Sequence, residues 1–434
     1  MNVLLINGRI WRGSAFAGGN LSVEPGDVSF FYGQMPKDTG DQIIIDCKGR
    51  YIIPGFTDVH VHLREPGFSY KETIASGTKA GARGGYAQLC SMPNVKPAPS
   101  DMDGLKAQLE IIRKDAVIPV TPYGSITRMV DGKCVLSDMQ SIAPFVCAFS
   151  DDGIGVQNAK TMREAMKIAK ALDKMIVAHC EDNALLGGKA IHDGVMAKRL
   201  GIQGISSDSE WRQVERDVEL AAETGCAYHV CHVSTKESVE IIRQAKSSGI
   251  NVSCETAPHY LLLCDEDIKD DGSYRMNPPI RAAEDRDALR EALADGTIDM
   301  IATDHAPHSI EEKSKGLLDS LNGITGLEVS FPMIYTELVE KQKLIDMSRL
   351  IELMSIKPRS RFRLAGADAA GANGEIDLAD CKLSDITVVD LNRRFRIDPS
   401  EFASKGKSTP FADLEVKGRV EATIAGGNLV WHRG

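Results

Sequence analysis

From residue 53 to about residue 340, short apolar runs alternate with stretches in which hydrophobic residues recur every three or four positions. The short runs, bounded by Gly, Pro and Asp, read as buried strands, and the periodic stretches read as amphipathic helices. The apolar runs fall at 55–62, 86–90, 118–125, 145–149, 175–179, 226–232, 250–254 and 299–303. Between the fourth and fifth, Met162, Ala165, Met166, Ala169 and Leu172 share one helical face behind a cap at Asn158 or Thr161. Strands that alternate with helices pack as a parallel sheet, and eight such units predict an α/β fold with a (β/α)8 TIM-type barrel over residues 53–361.

The flanks follow another pattern. Residues 1–52 and 362–434 carry short β-rich runs such as Gln42-Ile43-Ile44-Ile45, Ile386-Thr387-Val388-Val389 and Val420-Glu421-Ala422-Thr423-Ile424, separated by turn residues. They are expected to build one small β-sandwich domain from both termini. Residues 1–9 read as a strand, because their apolar stretch is short and lacks the basic leader of a signal peptide.

Composition narrows the function classes. Of 434 residues, 43% are hydrophobic and 26% charged, as in soluble globular proteins, and no apolar stretch approaches the ~20 residues of a membrane span. The net charge of −10, with Lys and Arg scattered, argues against nucleic acid as a partner. Ten cysteines occur without a Cys-x-x-Cys pair, many inside apolar runs. They read as buried thiols of a cytoplasmic protein, not as a disulfide framework or a cysteine zinc site.

Chemistry concentrates at strand ends, where barrels of this kind carry their active sites. The first strand ends in His60 and His62, the fourth in Asp151-Asp152, the fifth in His179, the sixth in His232 and the eighth in Asp304. Strand alternation points His60 and His62 the same way, with Val59 and Val61 facing the opposite layer. Four histidines and two carboxylates exceed the needs of one tetrahedral zinc, so the natural count is two ions sharing a carboxylate and a water. A hydroxide between two cations is a nucleophile near neutral pH, which makes hydrolysis the expected reaction. Alternation sends Asp151 and Asp152 to opposite faces, so one of them bridges. By the same rule His229 and His305 are expected to pack against helices, while His259 could approach the site.

Two motifs carry a family resemblance. They are Asp58-Val59-His60-Val61-His62-Leu63-Arg64-Glu65-Pro66-Gly67 and Ala302-Thr303-Asp304-His305-Ala306-Pro307-His308, the latter followed by Lys313. Ser91-Met92-Pro93-Asn94, Phe149-Ser150-Asp151-Asp152-Gly153, Ala178-His179-Cys180-Glu181 and Met276-Asn277-Pro278-Pro279-Ile280-Arg281 support them in order along the barrel. The chain resembles the dihydroorotases, a branch of the cyclic amidohydrolases within the metal-dependent amidohydrolase superfamily.

The resemblance implies two Zn2+ per subunit, with His60, His62 and Asp304 on one ion and His179 and His232 on the other. It favours Asp152 as the bridge and leaves Asp151 a structural cap. Many hydantoinases and allantoinases bridge with a carboxylated lysine, and no lysine occurs between Pro144 and Asn158. Arg64, two positions past a ligating histidine, would hold a carboxylate bidentately, and dihydroorotate has one where allantoin and hydantoin do not. By resemblance His62, Asn94 and His308 join Arg64 in the substrate pocket, and Asn277, Asn322 and Gly323 contact the ring amides. Asp304 would serve as general acid and base.

The implied reaction is the reversible closure of N-carbamoyl-L-aspartate to L-dihydroorotate in de novo pyrimidine synthesis. A homodimer and association with aspartate transcarbamoylase are the implied assemblies. The rival readings are another cyclic amidase, or a non-catalytic scaffold for aspartate transcarbamoylase; a scaffold would be expected to lose ligands that this chain retains. Residues 309–321, polar and ahead of Asn322-Gly323, read either as a mobile lid or as an ordinary surface loop.

Overall fold

The structure, a computed structural model, describes residues 2–32, 42–128, 134–371 and 374–434. Phe56–Val61 pairs in parallel with Tyr86–Ser91, and Tyr86–Ser91 with Val120–Pro122. Past Tyr123 the third strand resumes at Gly124–Ser125, followed in parallel order by Phe149–Ser150, Ile176–Ala178, Tyr228–Val230, Val252–Thr256 and Met300–Ile301. The ring closes where Val61 bridges His305 and the His62 N–H donates to the His305 carbonyl at 2.8 Å. The result is the (β/α)8 barrel.

Helices cover the outside as the periodicity requires. In Ala159–Ala171 the Asn158 side chain accepts from the Lys160 and Thr161 amides, and Met162, Ala165, Met166 and Ala169 face the core. The fourth strand departs from expectation. Ala143–Phe145 is a 3-10 turn containing Pro144, Phe145 is 49% exposed, and the strand is Phe149–Ser150. The apolar run belongs partly to the turn that leads into the strand.

Inside the barrel, Val59, Cys90, Met92, Tyr123, Ala148, Met175, Val177, Cys231, Met300 and Ala302 form one cluster with Phe362 and Leu364. Val59 is therefore in the interior, not in the opposite layer. Pairing of the first two strands slips between Asp58 and Val61, and such an irregularity lets successive side chains turn toward one face. Val61 alone packs in the main core between barrel and flanks.

The terminal segments share one eight-stranded sheet, the small β-sandwich domain. Its long first strand is Asn2–Trp11, Met1 lying outside the described residues; the strand pairs Gln42–Asp46 with its first half and Tyr51–Pro54 with its second. Tyr51–Pro54 then pairs with the C-terminal strand Ile386–Asp390. Fully buried Arg359 ties this sheet to the barrel, donating to the Gly55 and Ala365 carbonyls and, at 2.7 Å, to the Asp385 carboxylate. Among the described residues no helix is long and apolar enough to cross a membrane.

Candidate active site

The strand ends bring six side chains together. His60 Nε2 lies 3.4 Å from Asp152 Oδ1 and 3.6 Å from Asp304 Oδ1. His62 Nε2 lies 3.1 Å from Asp304 Oδ1 and 3.4 Å from Asp152 Oδ2. On the other side of Asp152, His232 Nε2 is 3.5 Å and His179 Nδ1 3.7 Å from Oδ1, and these two ring nitrogens are 2.9 Å apart. All six are buried. His60, His62 and Asp304 form one group with ligand atoms within 4.8 Å of one another, and Asp152, His179 and His232 form a second. His60 Nε2 and Asp152 Oδ1 are buried without a hydrogen-bond partner, and imidazole nitrogens with carboxylate oxygens are a donor set that divalent cations take. The residues fit a metal centre.

Local backbone accounts for this convergence. Alternation carries Met175 and Val177 on to His179, and Met300 and Ala302 on to Asp304. On the sixth strand it places His229 and Cys231 inside, which would send His232 outward. A left-handed backbone at His232 (φ 33°), just past the end of Tyr228–Val230, accompanies its return to the centre, and Asp304 (φ 47°) and Arg64 (φ 63°) share that conformation. Such a conformation costs a non-glycine residue ~1–2 kcal/mol, so the surrounding contacts must impose it.

The adjacent aspartates separate. Asp151 accepts from the Ile126 amide at 2.8 Å and from the Thr127 hydroxyl at 2.6 Å, tied to the loop beyond the third strand. Burial raises its carboxyl to about 6 even against those bonds. Asp152 sits among four imidazoles; burial would raise it too, but His60 and His232 hold it well below the usual carboxylate range. Asp304 behaves alike, burial being outweighed by His62 and His60. His60 in turn stands well above the usual imidazole value, because Asp152 outweighs its burial.

Residues outside the ligand groups orient those within. His62 Nδ1 is 2.8 Å from Asn94 Oδ1, and His60 Nδ1 is 2.6 Å from Glu255 Oε1. Sequence reasoning missed Glu255; the available signal was a carboxylate inside the otherwise strand-like Val252–Thr256. His229 also corrects the expectation. It lies inside the barrel, with Nε2 3.1 Å from Glu255, Nδ1 2.7 Å from Ser253 Oγ and its ring edge-on to Phe362 at 5.2 Å, not on the outer face of the strand. His305 accepts from the Gly326 amide and faces Glu72. His259 is buried beside the site, lowered to about 4 by burial, and belongs to neither ligand group. Cys231 Sγ comes within ligand distance of His60 and Asp152, although burial pushes its thiol far up.

A cavity of about 180 Å³ opens onto the cluster, walled by Arg64, Asn94, Asn277, His308, Asn322 and Gly323. Arg64 is buried, and its Nε donates to the Pro307 carbonyl at 3.1 Å. Burial lowers it to about 10, so it remains a cation at neutral pH. His308, brought down to about 3 by burial and by Arg64, is neutral; its Nε2 lies 2.7 Å from the Asn322 carbonyl oxygen and 3.3 Å from an Arg64 nitrogen, and its Nδ1 lies 3.2 Å from both Lys71 Nζ and Glu312 Oε2. Asn277 donates to Glu181 at 2.7 Å. At Gly323 (φ +134°) a Cβ would stand 2.4 Å from the Ala306 carbonyl, so only glycine fits this wall. The neighbouring segment consists of the short helices Ile310–Lys313 and Gly316–Asp319, anchored by buried Lys313 donating to the Arg275 and Leu321 carbonyls.

Comparison with known proteins gives the family and the fold. A dihydro-orotase-like family model matches residues 49–238. The dihydroorotase of Geobacillus kaustophilus is 48% identical over 418 residues, 96% of this chain and 95% of that protein. The chain belongs to the dihydroorotase family. A second dihydroorotase, from a Geobacillus species, is 46% identical over an alignment covering 100% of both chains. The family match spans His60 to His232, while Asp304, His308 and Gly323 lie in the further length shared with these dihydroorotases. Among solved structures, the L-hydantoinase (dihydropyrimidinase) of Arthrobacter aurescens superposes with a TM-score of 0.83 at 26% identity, over 100% of this chain and 96% of that one. A dihydropyrimidinase from Brevibacillus agri reaches 0.83 at 22% identity, over 100% and 95%, a likeness of fold.

Proposed function

We propose that the protein is a zinc-dependent dihydroorotase, interconverting N-carbamoyl-L-aspartate and L-dihydroorotate in de novo pyrimidine synthesis. The observation that carries this reading is the Arg64 guanidinium, buried on the wall of the same cavity that has Asp304 and the histidines as its floor. A buried cation there favours a substrate with a carboxylate beside the reacting ring, which hydantoin and allantoin lack.

His60, His62 and Asp304 would hold one zinc and His179 and His232 a second, with Asp152 shared between them. Zinc supplies an activated water and polarises the scissile carbonyl. Arg64, Asn94 and His308 hold the substrate carboxylate, His62 lines the floor, and Asn277, Asn322 and Gly323 take the ring amides. In the hydrolytic direction Asp304 accepts a proton from the attacking water and delivers it to the ring nitrogen as the C–N bond breaks. In the biosynthetic direction it takes that proton back, and because closure consumes a proton near neutral pH, acid favours the ring. We place the catalytic unit at 53–361 and the small domain at 1–52 with 362–434. The reading further puts a homodimer in the cytoplasm, with aspartate transcarbamoylase, which makes N-carbamoyl-L-aspartate, as partner enzyme.

Arg64→Met tests the reading. One charge-assisted fork is worth ~1.5–3 kcal/mol, so KM for L-dihydroorotate should rise by roughly ten- to a hundredfold with metal content unchanged. An unchanged KM, or loss of metal in place of a KM effect, would overturn the assignment of Arg64 to the carboxylate.

A further inference from the structure

Glu255 and His229 lie in the barrel interior and take no part in the chemistry above, yet every polar atom they present is engaged. Glu255 is 1% exposed; its Oε1 is 2.6 Å from His60 Nδ1 and its Oε2 3.1 Å from His229 Nε2. His229 Nδ1 is 2.7 Å from Ser253 Oγ, and Ser253 Oγ accepts from Arg361 Nε at 2.6 Å. Arg361 also donates to Asn251 Oδ1 at 2.6 Å and to the Tyr228 carbonyl at 3.0 Å, at the starting ends of the sixth and seventh strands. It lines a cavity of about 630 Å³ with Lys174 and Arg363, at the end of the barrel away from the active site. One hydrogen-bonded chain thus runs along the barrel interior from Arg361 to His60.

We propose that Glu255 is a positioning residue, held by this chain, that fixes His60 in the tautomer whose Nε2 lone pair faces the metal cluster. The inference rests on the reading of His60 as a metal ligand. Its force lies in the directions of the hydrogen bonds. A guanidinium only donates and a carboxylate only accepts, so Ser253 Oγ accepts from Arg361 at one end, Glu255 Oε2 accepts from His229 Nε2–H at the other, and the neutral His229 ring takes the Ser253 O–H on Nδ1. The other carboxylate oxygen accepts from His60 Nδ1–H, which leaves Nε2 as the nitrogen that faces the cluster and offers its lone pair once a cation displaces any proton there. That atom is the one 3.4 Å from Asp152 and 3.6 Å from Asp304, buried and without a hydrogen-bond partner. The opposite tautomer would set a bare Nδ1 against the Glu255 carboxylate and a proton where a cation must bind. Carboxylate partners of ligating imidazoles act this way in general; here one carboxylate accepts from two imidazoles, and the chain back to Arg361 holds it in place.

The test uses the full-length protein, measuring zinc affinity of the metal-free form by competition with a chromogenic chelator and the imidazole protonation pattern of the zinc-loaded form by long-range 1H–15N spectra. Glu255→Gln keeps the shape and is expected to weaken zinc binding by roughly ten- to a hundredfold. Ser253→Ala, two links away, should weaken it several-fold, and the neutral His60 ring should carry its proton on Nδ1 in the wild type. Wild-type zinc affinity in Glu255→Gln, or a His60 proton on Nε2, would overturn the proposal. If Glu255→Gln fails to fold, Ser253→Ala and Arg361→Gln decide by the same readouts, unchanged affinity in both overturning it. His60→Ala separates the two levels: insensitivity of zinc affinity to this change sinks the ligand reading itself, whereas sensitivity to His60→Ala without sensitivity to Glu255→Gln sinks only the positioning role.

Discussion

Asp304 reaches the cluster on a left-handed backbone, with Oδ1 3.1 Å from His62 and 3.6 Å from His60. In the proposed reaction it carries the proton in both directions, so Asp304→Asn, similar in shape and without a basic oxygen, should lower kcat by ~10²–10⁴-fold. Steady-state kinetics at saturating zinc check this, and a wild-type kcat would refute the role. A second residue-scale expectation concerns His192. Burial first, then the neighbouring Arg281, lowers it to about 4, and its Nδ1 lies 3.4 Å from an Arg281 nitrogen. The folded value lies below the unfolded one near 6.5, so the unfolded chain binds the proton first as the pH falls. The stability from the neutral ring is present above pH ~6.5 and lost toward pH ~4, about 3 kcal/mol in all. His192→Asn should therefore gain about that much on the wild type between pH 7 and pH 4 in chemical denaturation; a pH-independent difference would contradict it. At this scale the histidines and Asp304 were legible because residue type and a strand end suffice to raise them. Glu255 was not, since its partner His60 stands 195 residues away in sequence and a carboxylate inside a strand-like run does not by itself say what it pairs with.

At the scale of elements, the period-two rule served where the strands pair regularly. It carried His179 and Asp304 inward, but it misplaced Val59 and His229, because a slip in pairing after Asp58 and a left-handed residue at His232 reset the alternation. The pair Asp151 and Asp152 was undecidable from spacing alone, and what separates it is the Thr127 hydroxyl and amide on another loop. The fourth strand was placed too early because apolar content does not distinguish a strand from the turn that leads into it. The joint between barrel and small domain is likewise tertiary. Arg359→Met would leave the Asp385 carboxylate without its cation and take one of two donors from the Gly55 carbonyl, the Ser355 hydroxyl remaining, at a cost of about 3–5 kcal/mol. Denaturant unfolding measures it, and a loss under 1 kcal/mol would show that the joint tolerates an apolar side chain there.

At the scale of the whole molecule, the architecture is shared with hydantoinases and dihydropyrimidinases, so the fold does not choose the substrate. The choice falls to the wall of one cavity of about 180 Å³, whose six residues named above come from five separate stretches of chain. Those residues could be named from the sequence motifs, but their meeting in one cavity could not be derived from spacing. A cation that binds only the folded protein stabilises it by ~2.7 kcal/mol at a hundred times its dissociation constant, so zinc removal should lower the thermal midpoint and zinc addition restore it; an unchanged midpoint would mean that the cluster binds no ion tightly. The central claim is tested most directly by following L-dihydroorotate hydrolysis with metal-stripped protein before and after zinc is added. The account predicts no turnover without metal, zinc-restored ring opening, and ring closure from N-carbamoyl-L-aspartate under acid conditions. Ring opening by the stripped protein, or inactivity of the zinc-loaded protein toward both compounds, would contradict it.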